Sequence, residues 1–169
     1  GRLRAVFPVH LNGACVDLSA IAGALASCHD VCIIDDACHA LGAEPPFGCI
    51  GDGLNSDMTI FSLHPVKAIT MGEGGVISTR NPEFASRLTM LRSHGMIRDQ
   101  AQFVQPNEAY DSCGRVNPWY YEMQDLGFNY RLSDIQASLG LSQLSRANIG
   151  LKRRKEIVQI YEQFFKGKE

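Results

Sequence analysis

No uninterrupted apolar run in this sequence approaches the roughly 20 residues that a membrane span requires, so a spanning protein is not expected. Charge of one sign is not in excess either. Sixteen Lys and Arg stand against eighteen Asp and Glu, a net charge of −2, and a general nucleic-acid binder needs a positive field. The six cysteines, at positions 15, 28, 32, 38, 49 and 113, contain no Cys-x-x-Cys pair. Zinc sites usually read as close Cys or His pairs. The one group to weigh is therefore Cys28, His29, Cys32, Cys38 and His39, and there Cys32 sits inside the apolar run Val31-Cys32-Ile33-Ile34, where a thiol acts as a small hydrophobe. No metal is expected, and six unpatterned thiols fit a reducing, cytoplasmic setting. Gly72-Glu73-Gly74-Gly75 lacks the GxGxxG spacing, and Gly48, Gly51 and Gly53 do not join a strand to a helix, so no dinucleotide fingerprint is present. A P-loop lysine motif, a nucleophile elbow, internal repeats and low-complexity segments are missing too.

What remains is an ordinary globular balance, 45% hydrophobic and 20% charged over 169 residues, about one domain's worth of chain. The opening Gly1-Arg2-Leu3-Arg4 has no Met and the end follows directly on a helical pattern, so both ends are expected to be cut from something longer. Ala5–His10 reads as a short buried strand whose pairing Pro8 limits. Asp17 caps a helix bearing Leu18, Ile21 and Leu25. Val31–Ile34 and Met58–Leu63 are apolar strands, and Val76–Thr79 is a fourth. Asn81-Pro82-Glu83 starts a helix whose stripe is Phe84, Leu88 and Leu91. Periodicity then fades from about residue 94 to 127. Ser133 and Gln136 form a capping box, and the small residues Ala137, Ser138 and Gly140 permit close packing behind it. The last helix carries Ile157, Ile160, Tyr161, Phe164 and Phe165 on one face, after a charge run, Lys152–Lys155, that reads as solvated. Strands alternating with helices predict an α/β fold with a mostly parallel sheet.

In such sheets functional groups collect at the carboxyl ends of strands. One strand runs into Asp35-Asp36-Ala37-Cys38-His39, another into Ser62-Leu63-His64-Pro65-Val66-Lys67. Side by side, these ends would gather a carboxylate, an imidazole, a hydroxyl and an amine, a set that suits pyridoxal 5′-phosphate (PLP). Lysine supplies a Schiff base to its aldehyde, and a carboxylate keeps its ring nitrogen protonated. Taken singly, each residue has a plainer reading. Asp36 could cap a short helix, Asp35 could be solvent-exposed, Lys67 could be a loop lysine, and His39 and His64 could be structural.

Ile34–Gly42, Phe61–Lys67 and Thr70–Gly75, with Val9–Gly13 and Gly127–Ala137, resemble in order the landmarks of the DegT/DnrJ/EryC1/StrS family of sugar aminotransferases. The resemblance runs through essentially the whole chain. It implies the type I aminotransferase (aspartate aminotransferase-like) fold, PLP as cofactor, and a homodimer with shared sites. Lys67 would bind PLP and move the proton, Asp36 would pair with the ring nitrogen, His39 would stand beside the ring near its 3′ oxygen, and Ser62 would donate to the phosphate. Asn129 would reach the phosphate in the neighbouring subunit, with Tyr130 and Arg131 near the nucleotide-sugar. Family members that deoxygenate at C3 have histidine in place of this lysine.

Ser62–Lys67, Arg92–Met96 and Trp119–Glu122 resemble most the family's pseudaminic acid branch. That implies amination of a UDP-linked 4-keto-6-deoxy-N-acetylhexosamine by glutamate. An aminotransferase of the same family acting on another nucleotide-linked 3- or 4-ketosugar, or a catalytically silent module that keeps the fold, is the alternative. The family's chain starts before Gly1, with a phosphate-binding helix start and a ring-stacking aromatic, and continues past Glu169. Residues 1–132 would then be the central part of the PLP-binding large domain, and 133–169 helices leading toward a small carboxyl-terminal domain. The stretch alone is expected to be inactive.

Overall fold

Three short parallel strands and one antiparallel strand make the sheet that carries the chemistry. In this computed structural model, which describes residues 2–28, 30–46 and 48–168, the order is β1 (Ala5–Val6), β2 (Cys32–Asp36), β3 (Met58–Ser62) and β4 (Gly75–Ser78). Gly1, His29 and Glu169, which entered the readings of the ends and of the cysteine cluster, lie outside the described residues. β1, β2 and β3 run parallel, with Val6 opposite Ile33 and Asp36 opposite Ile60, while β4 returns antiparallel with Gly75 opposite Ser62. Helix α1 (Leu18–Ala24) lies in the crossover from β1 to β2 that parallel pairing demands. Asp17 starts it by accepting the N–H groups of Ser19 at 3.0 Å and Ala20 at 3.1 Å.

The strand boundaries differ from the sequence reading by a single residue at β3 and β4 and by more at β1 and β2. The strand expected over residues 5–10 is broken, because Pro8 has no N–H to give the ladder. Pairing resumes only at the bridge from Val9 to Asp36, where Asp36 N–H donates to Pro8 O at 2.9 Å and His10 N–H to Asp36 O at 3.1 Å. β2 in turn extends past its apolar run to include both aspartates. Alternation along it sends Ile33 and Asp35 to one buried face and Asp36 to the other.

The chain divides into two compact units, residues 1–80 with 132–169, and residues 81–131. In the first, Leu63, Ile69 and Met71 pack with Leu41 and Ala147. Burying Leu63, Ile69 and Met71 stabilises the fold by about 1.5–3 kcal/mol each. The second unit opens with α2 (Pro82–Leu91), capped by Asn81, whose Oδ1 accepts from Glu83 N–H at 2.8 Å. The long aperiodic stretch after it is not structureless. It holds β5 (Met96–Ile97) paired antiparallel with β6 (Glu122–Met123), and the single turn α3 (Pro106–Ala109). Elements of two to four residues are too short to show a period.

Helices α4 (Asp134–Leu144) and α5 (Ala147–Phe165) complete the first unit. The Ser133–Gln136 capping box is present. Gly140 meets Met71 so closely that a Cβ there would stand 2.5 Å from Met71 Cε. On α5, Leu151 packs against Gly42 and Lys155 pairs with Glu44 at 2.9 Å, and the charged run is exposed as expected. The apolar stripe beyond it, Ile160, Tyr161, Phe164 and Phe165, is exposed in this chain. No helix among the described residues is long and apolar enough to cross a membrane.

Candidate active site

Parallel pairing of β2 and β3 brings their carboxyl ends together, and with them Asp36 and Ser62. Asp36 is half-buried. Its Oδ1 accepts the backbone N–H of Cys38 at 3.0 Å. The Cys38 thiol and amide, with His39 and the Lys67 ammonium nearby, hold the Asp36 carboxyl below its ordinary range, so it is ionised at neutral pH. Burial and the Asp36 charge push the Cys38 thiol up to about 11, which leaves it protonated and unreactive.

Lys67 ends a tight turn after β3, its N–H donating to His64 O at 2.9 Å. The side chain is half-buried and its ammonium makes no ion pair among the described residues. Ser62 Oγ accepts the His64 N–H at 3.4 Å, which leaves its hydroxyl proton free to donate elsewhere. His64 is tied within its own turn, Nδ1 accepting from Val66 N–H at 3.3 Å and Nε2 standing 3.8 Å from Glu73. Lys67 and His39 share the wall of an open cavity of about 810 Å³ with Asn12, Leu41 and, from α5, Leu151 and Arg154. Asp36 and Ser62 are not on that wall. Asn129 belongs to the 81–131 unit, where it is exposed and bridges Ser93. Tyr130 is exposed beside it, its ring stacked on Phe128 at 4.9 Å.

One pair escaped the sequence reading. Asp35, for which solvent exposure was the plainer alternative, is wholly buried, and so is His10, with Nε2 and Oδ1 2.8 Å apart. Neither atom makes a hydrogen bond among the described residues, so the two stand close without hydrogen-bond geometry. Burial raises the Asp35 carboxyl above its ordinary range, opposed by His10 and by the Thr59 hydroxyl donating at 3.3 Å. The available signal was strand alternation: of two consecutive aspartates in a strand, one must face the core side. Among the described residues no three or more His, Cys, Asp or Glu side chains gather as metal ligands.

PLP makes three chemical demands on a donor set. The cofactor needs an anion for a protonated ring nitrogen, a free amine for its aldehyde and donors for its phosphate. Asp36 is ionised, Lys67 has no ion pair among the described residues and is close enough to feel Asp36, and the Ser62 hydroxyl proton is not used by the His64 contact. The residues fit the group.

An α/β sheet of this topology is the fold of the type I PLP-dependent aminotransferases. The sequence matches the DegT/DnrJ/EryC1/StrS aminotransferase family over residues 1–169, and the chain belongs to that family, whose members use PLP. It is 40% identical over 99% of its length to an uncharacterized protein of Methanocaldococcus jannaschii, covering 40% of that protein. It is 36% identical over 95% to the UDP-4-amino-4,6-dideoxy-N-acetyl-beta-L-altrosamine transaminase of Campylobacter jejuni, covering 38%. With the GDP-perosamine synthase of Caulobacter vibrioides it shares 36% over 96%, again covering 38%. Among solved structures it resembles PseC of Helicobacter pylori, an aminotransferase of pseudoaminic acid biosynthesis, with a TM-score of 0.80, 29% identity, and coverage of 97% of this chain and 39% of that one. A putative sugar aminotransferase of Streptococcus pneumoniae in its PLP form gives a TM-score of 0.73, 27% identity, and coverage of 97% and 42%. The chain thus spans about two-fifths of the length of the relatives it matches.

Proposed function

We propose that the protein containing this chain is a PLP-dependent aminotransferase that moves the amino group of glutamate onto a UDP-linked 4-keto-6-deoxy-N-acetylhexosamine, as in pseudaminic acid-type sugar biosynthesis. The observation that carries this is the juxtaposition, after neighbouring parallel strands, of an ionised Asp36 with a Lys67 that has no ion pair among the described residues. Likeness to the Campylobacter transaminase and to PseC supports the choice of sugar.

When bound, PLP supplies an electron sink for the carbon that loses its proton. Asp36 keeps its negative charge against the ring nitrogen. Lys67 would hold the cofactor through its aldehyde, and its amine is the group placed to take up and return a proton as base and then acid. Ser62 donates to the phosphate, and His39 stands beside the ring. Asn129 serves the neighbouring subunit of a homodimer, supported by its exposed side chain on a backbone pinned by the Ser93 bridge. Residues 1–132 form the central part of the cofactor-binding domain and 133–169 lead toward a further one. The enzyme works in the cytoplasm, where its substrates are soluble nucleotide-sugars.

A GDP-linked ketosugar is the second reading, favoured by the equal identity to GDP-perosamine synthase. Incubating the full-length protein and PLP with glutamate and each ketosugar in turn decides it. Amination of the UDP sugar at the highest kcat/KM supports the proposal. Preference for the GDP sugar moves the assignment to the second reading, and no amination of any ketosugar overturns both.

A further inference from the structure

The His10–Asp35 pair lies behind the site, and the loop after it, residues 11–16, runs to the cavity that Lys67 lines. His10 Nδ1 accepts the backbone N–H of Val16 at 2.8 Å, so Nδ1 carries no proton and the ring proton sits on Nε2, the nitrogen that stands 2.8 Å from Asp35 Oδ1. Asp35 is steadied in turn by Thr59, and Thr59 by Ser56 at 3.2 Å. His10 thus clamps both ends of the loop, its own backbone through the bond to Asp36 O and Val16 through its ring.

The loop held this way is bent hard. Asn12 (φ 54°) and Gly13 (φ 83°) are both left-handed, and a side-chain-bearing residue adopts that conformation at a cost. The bend aims Asn12 N–H at His39, whose Nδ1 accepts it at 3.2 Å. His39 Nδ1 is therefore unprotonated as well. Its Nε2–H, with no partner among the described residues, is left to the cavity that His39 lines.

We propose that His10 is a positioning residue: held by Asp35, it pins the 11–16 loop so that the Asn12 amide fixes His39 as a hydrogen-bond donor through Nε2. His39 then offers a single donor, never an acceptor, toward whatever oxygen the cavity receives. That this oxygen belongs to the PLP ring rests on the function proposed above. The fixing of His39 does not.

The two ring nitrogens of His10 can be tested separately. Asn places its oxygen where Nδ1 was, and Gln places its amide nitrogen where Nε2 was. His10→Asn keeps the acceptor for Val16 and gives up the contact to Asp35. His10→Gln keeps a donor to Asp35 and frees Val16. The readouts are long-range ¹⁵N–¹H correlations of His39 and the exchange rates of the Asn12 and Val16 amides, in the full-length protein without cofactor.

In the wild type, His39 is expected as one Nε2–H tautomer with Asn12 protected. In His10→Gln, Asn12 and Val16 exchange roughly tenfold faster or more, as loss of a hydrogen bond of about 1.4 kcal/mol implies, and His39 becomes a mixture of tautomers. In His10→Asn, which keeps the acceptor for Val16 but loses the hold of Asp35, Asn12 exchange and the His39 tautomer ratio fall between wild type and His10→Gln, and wild-type values there overturn the role given to Asp35. An Nδ1–H tautomer in the wild type overturns the proposal without recourse to any variant. So does a His10→Gln protein whose Asn12 and His39 behave as wild type. PLP titration of the same samples reads the other question: a fixed His39 in a protein that takes up no PLP leaves this inference standing and removes the proposed function.

Discussion

Asp36 Oδ1 accepts the backbone N–H of Cys38 at 3.0 Å, so the turn leaving β2 orients the carboxylate before any ligand arrives. Asp36→Asn keeps that acceptor and removes only the charge. The fold is therefore expected to survive, with a thermal midpoint near wild type. The kcat/KM of the full-length enzyme is expected to fall by about 10²-fold or more, the scale for losing one preorganised electrostatic partner. Retained turnover in a folded Asp36→Asn protein would remove this residue from the site.

Lys67 sits on a turn and makes no ion pair among the described residues, so its replacement should cost little stability. Lys67→Ala is expected to abolish the visible absorbance band that PLP gives when linked to lysine. Turnover is expected to drop by at least the 10²–10⁴-fold that a positioned acid–base group contributes. Absorbance spectra and initial rates on the full-length protein, wild type beside variant, check both.

Glu122 is the buried polar hub of the 81–131 unit. Its Oε2 accepts from Val104 N–H and its Oε1 from Gln105 N–H, each at 2.8 Å, and the Gln124 amide and Tyr120 hydroxyl donate to it as well. Burial works to raise its carboxyl, but these donors outweigh burial and bring it down to about 2. An ordinary glutamate titrates near about 4.3. The stabilisation is thus complete above that value and is lost as pH falls through about 2. Acid unfolding followed at the Trp119–Tyr120 aromatic pair should lose stability across this window in wild type, and the slope there should shrink in Glu122→Gln.

Gly95 follows α2 with φ +70°, and a Cβ on it would overlap the carbonyl of Asp125. The left-handed conformation alone costs a substituted residue about 1–2 kcal/mol, and the overlap forces the backbone apart. Gly95 O also accepts Gln124 N–H at 2.9 Å, so the strain reaches the β5–β6 ribbon. Gly95→Ala is expected to lower the denaturant midpoint by more than the αL cost. An exposed glycine with no Cβ contact, Gly114→Ala, should show no more than that cost.

Much of this was legible in the chain itself. The apolar runs, the Asp17 and Asn81 caps and the Ser133 capping box are local signals, read over three or four residues, and they start the same elements in the structure. The order of strands and helices carried the α/β class, and Asp36, Ser62 and Lys67 stood out because each closes or follows an apolar run. Pairing partners more than twenty residues away decided the rest. Pro8 ends β1 early because the ladder opposite it needs an N–H, and β6 exists because Met96 finds Met123 across a stretch with no period of its own. Asp35 and His10 are the sharpest case. Nothing local separates a buried aspartate from the one beside it, and only the parallel register of β1 on β2, continued through Val9 and Asp36, brings an imidazole to a carboxylate that water cannot reach. The sequence by itself determined which groups this protein has for chemistry. The tertiary structure decided which of them face each other, because hydrogen-bond register and burial are properties of strands brought together and not of any one segment.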